Sequence, residues 1–347
     1  MTSLVLTAPV ARVLAWTPEV EIFPTVVSAS EPDLTVAPDG SIHLVFAGQV
    51  GSDSQQHIYY TRWNGTSWAS LVNLPGPDLK EQQPDIAVGP DGHVHVVAIY
   101  RDCGEVTCPY SVFCWEWNGS GWTGPVPLSP NTGGDDNSCS SAKVAVDKNN
   151  DLHVVWAQKG ATGGESDIMY KKRQSGIWLP TYNVTNNNGG TSYGSVSCDL
   201  AIDKNGSNVH VVWHDDFLNN GFQAYYTKNT DLGTSASWLP GNQWYQLSSG
   251  SYGKVPRVWL DKDNRPNIVW IDKFGDWLNH RRQLSDIRLM DRSDFDRIAG
   301  ELQMSPGALD DLVSQGPHAA DELPMLLKAL GISETNLART QPLMVRD

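Results

Sequence analysis

"VAPDGSIHLVF", Val36 to Phe46, reads as the end of one strand, a tight Asp-Gly turn and a second strand of alternating apolar residues. The pattern returns as "VGPDGHVHVVA" from Val88, "VDKNNDLHVVW" from Val146, "IDKNGSNVHVVW" from Ile202 and "LDKDNRPNIVW" from Leu260. Aligning the strand before the turn puts Pro32, Pro84, Ala142, Cys198 and Pro256 in one column, spaced 52, 58, 56 and 58 residues apart. A second hairpin follows in the first four repeats: "HIYYTRWNGTSW" from His57, "SVFCWEWNGSGW" from Ser111, "DIMYKKRQSGIW" from Asp167 and "AYYTKNTDLGTSASW" from Ala224. Each repeat thus offers four short antiparallel strands, the content of one propeller blade. The expectation is an all-β, five-bladed β-propeller over residues 1–284, with blades starting near 32, 84, 142, 198 and 256.

The fifth repeat stops at "WLNHRRQ", one strand short, while "VLAWTPEVEIFP" near the N-terminus resembles the fourth-strand segment "SWASLVNLP" from Ser67. An N-terminal strand completing the last blade would tie both ends together and remove two exposed edges, with an open fragment of a larger ring as the alternative. All 14 Trp lie at or before Trp277. Beyond about Leu284 the pattern becomes helical, with Phe295, Ile298, Ala299 and Leu302 on one face, Ser305-Pro306 as a start and Gly316 and Gly331 as stops. Residues 285–347 are therefore expected to form a small α-helical domain in weak contact with the propeller.

The net charge of −14 argues against a nucleic-acid surface and against docking on anionic lipid. No apolar run reaches the ~20 residues that span a bilayer, so no membrane insertion is expected, and the chain is expected to be a monomer. A propeller of this kind has an extracellular or periplasmic look, yet the opening residues do not read as a secretory signal. The cysteines leave two readings side by side. Cys103 could pair with Cys108 across a short loop and Cys139 with Cys198 across neighbouring repeats, or all five could be free thiols. Zinc is disfavoured because no CxxC pair exists, and no cofactor is implied.

Turns such as "DKNND" from Asp147 carry spaced oxygens but too few for calcium, and Asp and Asn favour such turns anyway. His43, His95, His153 and His210 share one strand position with Asn267, which points to hydrogen bonds between strands rather than to a metal. Trp213-His214-Asp215 and Trp270-Ile271-Asp272 place carboxylates where a second strand ends, at the mouth of the ring, and Tyr193 and Tyr252 sit in the linkers before the fourth and fifth blades. The aromatics that close the second strands, Phe46, Trp156, Trp213 and Trp270, read first as inter-blade packing, but aromatic faces beside carboxylates also suit sugar recognition, so Trp213, Asp215, Trp270, Asp272, Tyr193 and Tyr252 are the ligand-binding candidates.

The second hairpins resemble the Asp-box (BNR) repeats of sialidase-like propellers, whose S-x-D-x-G-x-T-W box sits on the turn between third and fourth strands. Thr61 to Trp68 matches the hydroxyl, Gly, hydroxyl and Trp positions but has Trp63 in place of the Asp. Gly119 and Trp122, Ser237 and Trp238, and Trp178 are what the other three repeats retain. The resemblance implies blades over about 10–284. A sialidase would also need three Arg on the substrate carboxylate, a Tyr–Glu nucleophile pair and an acid Asp, and of the first-strand positions only Arg257 carries an Arg. The tail, through "GPHAADELPMLLKALGI" and "ARTQPLMVRD", resembles a small helical bacterial family of unknown function whose cysteine-rich end has no counterpart here. With no catalytic set in view, the expectation is a non-catalytic, lectin-like module that recognises a carbohydrate or glycan-bearing surface through the top face. A sialidase-like glycoside hydrolase or lyase is the alternative, and a protein-interaction scaffold the third reading.

Overall fold

The computed structural model describes residues 21–76, 81–101, 110–129, 138–160, 166–185, 194–206, 208–215, 221–230, 244–248, 253–271 and 278–282. The N-terminal closing strand and the helical tail expected from the sequence lie outside them, as do Cys103 and Cys108. The described residues form an all-β, propeller-like array of five antiparallel sheets without a helix. The first sheet is β1 (Val26–Val36), β2 (Ile42–Val50), β3 (His57–Trp63) and β4 (Val72–Asn73), in that order. The second repeats it with β5 (Glu81–Val88), β6 (Val94–Arg101), β7 (Tyr110–Trp117) and β8 (Trp122–Pro127). The third has β9 (Cys139–Val146), β10 (Leu152–Lys159) and β11 (Ser166–Gln174), with β12 (Ile177–Trp178) and β13 (Tyr182–Asn183) both on β11. The fourth is β14 (Val196–Ile202), β15 (Val209–Asp215), β16 (Gln223–Asn229) and β17 (Tyr245–Gln246). The fifth has β18 (Lys254–Leu260), β19 (Pro266–Ile271) and β20 (Leu278–Arg282). The first strands β1, β5, β9, β14 and β18 lie side by side in chain order and form the inner layer.

The quoted turn is built by its own side chains. Asp39 Oδ1 accepts the Ser41 N–H at 2.9 Å, Asp91 Oδ1 that of His93 at 3.0 Å, and Asp261 Oδ1 those of Asp263 and Arg265 at 2.8 and 3.0 Å. Gly40, Gly92, Asn150, Gly206 and Asn264 take the left-handed backbone that the turn requires, φ between 60° and 82°. The two asparagines do more than turn. Asn150 Oδ1 accepts the Asp91 N–H at 3.1 Å and Asn264 Oδ1 that of Lys204 at 3.0 Å, each reaching back to the preceding sheet.

A second repeated device was not visible in the sequence. Glu31, Gln83, Ser141, Ser197 and Val255 all have φ between 50° and 56°, each at a register shift of the inner strand. No glycine marks these bulges, so nothing in the local residue choice announced them.

The core is four inter-sheet clusters rather than one centre. Trp115 is fully buried between the first and second sheets, Trp156 between the second and third, and Trp213 between the third and fourth. Trp270, Val258 and Leu247 join the fourth and fifth. In the inner strands, Ile86, Val144, Leu200 and Val258 face the preceding sheet at 5, 6, 8 and 8% exposure. Leu34, in the same column of the first sheet, is 61% exposed.

Cys139 and Cys198 are buried thiols without a disulfide, so the pairing that would join these repeats does not form. Burial pushes Cys139 up to about 11 and Cys198 to about 12, which keeps both protonated and inert.

Candidate functional site

The residue after the aligned Pro/Ala/Cys column is charged in every repeat: Asp33, Asp85, Lys143, Asp199 and Arg257. This column lies on the inner strands, and its side chains reach from one inner strand to the next. Asp33 Oδ2 accepts the Ile86 N–H at 2.9 Å, Asp85 Oδ2 that of Val144 at 2.8 Å, and Asp199 Oδ2 that of Val258 at 2.9 Å. Three carboxylates thus satisfy inner-strand donors that have no strand partner on the axial side. Lys143 and Arg257 depart from that rule, since an ammonium or a guanidinium cannot accept a hydrogen bond. Lys143 turns back instead and donates to Asp85 Oδ1 at 2.5 Å.

The result is a mixed cluster of three carboxyl groups and two cations along the axis. Burial raises the Asp85 carboxyl to about 7, against the downward pull of Lys143 and with Asp33 adding repulsion. Burial also raises Asp199, opposed by the Val258 N–H and by Arg257 and Lys143. Lys143 is raised by Asp85 and Asp199, outweighing its own burial and the repulsion from Arg257. A carboxyl group that holds its proton near neutrality, beside other carboxyl groups and fixed cations, is what proton-transfer chemistry requires. The sequence signal for the cluster was present, a charge recurring inside an otherwise apolar strand, but only Arg257 was noticed in it.

The residues expected at the mouth fall differently. Trp213 is fully buried, stacked on Tyr225 at 5.9 Å and edge-on to Trp244 at 5.3 Å, and Trp270 is buried against the fourth sheet. Neither presents a ring face to a ligand; their place is inter-sheet packing. Asp215 is also fully buried, and the Ser195 hydroxyl donates to its Oδ2. Asp272, Tyr193 and Tyr252 lie outside the described residues. The neighbour that was overlooked is His214. Its Nδ1 accepts the Val255 N–H at 3.1 Å, its ring stands edge-on to Phe222 at 5.1 Å, and Lys254 Nζ lies 4.3 Å over that Phe222 ring. Burial, with help from Lys254, lowers His214 to about 4, so the imidazole is neutral at physiological pH.

A further buried carboxylate, Glu81 at the start of β5, reaches back to the first sheet. The third strands of sheets two, three and four have one N–H capped by a hydroxyl from the linker: Ser129 for Val112, Thr185 for Ile168 and Ser248 for Ala224, at 2.9 to 3.0 Å. The first repeat has Pro75 at that point and no hydroxyl. Glu81 Oε2 takes over and accepts the Ile58 N–H at 2.6 Å, 4.0 Å from His57 Nδ1.

No family model matches the sequence, and no curated protein sequence matches it either. Among solved structures the fold is similar to the α-L-arabinanase of Penicillium chrysogenum (15% identity, TM-score 0.55, 74% of this chain and 79% of that one). It is also similar to the GH93 α-L-arabinofuranosidase of Fusarium graminearum (13%, 0.51, 75% and 80%). A PL25 ulvan lyase bound to its sugar matches at 13% identity and a TM-score of 0.50, over 73% of this chain and 64% of that one. These likenesses support the propeller-like fold, while Asp-box repeats find no support from a family model. They correct the functional expectation as well. The structures sharing this fold are for the most part glycan-processing enzymes, which overturns the expectation of a non-catalytic binding module without enzyme activity.

Proposed function

We propose that the chain is a glycan-processing enzyme, a glycoside hydrolase or polysaccharide lyase, with its reacting groups in the axial cluster. The observation that carries the reading is Asp85, a carboxyl group raised to about 7 with Asp33 and Lys143 as electrostatic neighbours. Hydrolysis of a glycosidic bond uses one carboxyl group as acid and a second as base or nucleophile. Asp85 fits the acid, and the half-buried Asp33 on the adjacent inner strand fits its partner. In a lyase, Lys143 and Arg257 would instead neutralise a sugar carboxylate while a base removes the neighbouring proton. Tyr193, Tyr252 and Asp272 are proposed as further contacts to the sugar. Five blades closed by the N-terminal strand remain the proposed form of the ring.

The experiment is to incubate the full chain with arabinan, sulfated uronate polysaccharide and sialylated glycans. New reducing ends report cleavage, and ultraviolet absorbance of unsaturated uronate separates a lyase from a hydrolase. Asp33→Asn and Asp85→Asn should each lower kcat by about 10²-fold or more, with circular dichroism unchanged. A folded chain that leaves the whole panel intact, or variants that cleave at the wild-type rate, would sink the reading.

A further inference from the structure

The bulges of the inner strands carry a second set of bridges between sheets, and one of these bridges is missing. Glu31, Gln83, Ser141, Ser197 and Val255 each sit two residues before the charged column of the axial cluster. In the second, third and fifth sheets the N–H of the bulge residue is met from the preceding sheet. Glu31 Oε2 accepts the Gln83 N–H at 2.7 Å, Gln83 Oε1 that of Ser141 at 2.9 Å, and His214 Nδ1 that of Val255 at 3.1 Å. Ser197 holds the same place in the fourth sheet, with φ 52°, directly after the paired Val196. The bulge residue before it, in the third sheet, is Ser141, whose side chain is too short to span the gap. No side chain among the described residues accepts the Ser197 N–H. The two bulges nonetheless lie against each other, since the Cys198 thiol donates to the Ser141 carbonyl at 3.1 Å. Ser141 and Ser197 are half-buried, so the notch between them is reachable from solvent.

We infer that a sugar oxygen of the substrate occupies this notch, taking the place that Glu31 Oε2, Gln83 Oε1 and His214 Nδ1 hold at the other bulges. The inference rests on the axial cluster being the reacting site. A half-buried backbone N–H needs an acceptor, and the lone pair of a sugar hydroxyl or carboxylate oxygen supplies one. Ser141 and Ser197 add hydroxyls that both donate and accept, which suits the hydroxyls of a saccharide. Lys143 and Asp199 lie two residues further along the same two strands. A saccharide held at the notch therefore meets the cluster between the third and fourth sheets. Glu31 and Gln83 close the same level between the first three sheets, so the approach is one-sided. The Ser197 N–H is thus a positioning group for the substrate.

The test is Ser141→Gln in the full chain, which rebuilds the side chain of Gln83 on the same backbone, φ 56° against 54°. Its carbonyl would accept the Ser197 N–H and fill the notch, while Ser141→Ala leaves the notch open. Oligosaccharides of arabinan and of a sulfated uronate polysaccharide are titrated in, with the Ser197 amide followed by NMR. The wild-type amide should shift on binding; a response to the neutral oligosaccharide identifies a hydroxyl, and a response to the uronate alone a carboxylate. Ser141→Gln should weaken binding and raise KM by about tenfold or more, and Ser141→Ala should stay within about threefold of wild type. A Ser197 amide unmoved at saturation, or no binding of either oligosaccharide, overturns the inference. Cleavage by Ser141→Gln at the wild-type KM overturns the notch alone and leaves the axial reaction standing. Binding through Ser197 without cleavage upholds the notch and sinks the reaction.

Discussion

At the scale of single residues the repeat shows its logic in what replaces what. His43, His153 and His210 each meet a tyrosine hydroxyl through Nδ1, Tyr60 at 2.8 Å, Tyr170 at 2.7 Å and Tyr226 at 2.8 Å. In the second sheet the tyrosine is Cys114, and His95 Nδ1 finds no partner among the described residues. Tyr170→Phe should therefore cost about 1 kcal/mol, because it leaves a buried imidazole nitrogen in the state that His95 already has; urea unfolding measures it. Burial also holds His43, His95 and His210 down to about 4. Their folded values lie below the unfolded one near 6.5, so the unfolded chain binds more protons between these limits. Stability is then full above pH ~6.5 and is lost as pH falls towards 4. His210→Asn, which borrows Asn267 from the fifth repeat, should flatten that loss in unfolding midpoints measured between pH 7 and 4. An unchanged slope would mean that His210 does not carry it. The Glu116–Arg173 pair acts at lower pH. Arg173 contacts both carboxylate oxygens at 2.7 and 3.2 Å across the second and third sheets and draws Glu116 down to about 2. Its stabilisation is present above pH ~4.5 and disappears as pH falls through 2. Glu116→Gln should remove about 2 kcal/mol at pH 7 and leave stability at pH 2 nearly unchanged.

At the scale of strands and sheets, the inner-strand columns decide how closely neighbours approach. Ala87 packs into the cluster between the second and third sheets. Ala87→Trp, which installs there the residue that the fifth sheet carries as Trp259, should destabilise by about 3 kcal/mol through overpacking. Ala87→Ser is the control, and a Trp variant as stable as wild type would show that the column does not set the spacing. Such columns also explain what could be read in advance. Strand pairs, their turns and the number of repeats follow from alternation and from Asp-Gly or Asn-containing turns, both local signals. The inner-strand bulges could not be read, because Glu31, Gln83, Ser141, Ser197 and Val255 carry no residue preference for positive φ. The axial cluster was missed for a different reason. Its members are 52 to 58 residues apart and become neighbours only when the sheets stand side by side. Trp213 and Trp270 misled because a tryptophan at the end of a strand looks the same in sequence whether it faces a ligand or the next sheet.

For the whole molecule, the core is divided among junctions, so stability should pass along the array from sheet to sheet. Trp156 is the sharpest place to test this. It is fully buried between the second and third sheets, packed with Val97, Ile99, Val112 and Leu152, and its Nε1 donates to Gln158 Oε1 at 3.0 Å. Trp156→Ala should cost about 3–5 kcal/mol, the transfer of a large side chain plus the cavity left behind. If neighbouring sheets open as one unit, the slowest amides of β6 and β10 lose protection together, by about two to three orders of magnitude at 1.4 kcal/mol per tenfold. β18 and β19 of the fifth sheet, two junctions away and less buried, should change much less. Native-state hydrogen exchange followed by mass spectrometry resolves these strands. Acceleration confined to β10 would mean that each sheet opens alone, and equal acceleration in all five sheets would mean that the array unfolds as a single cooperative body.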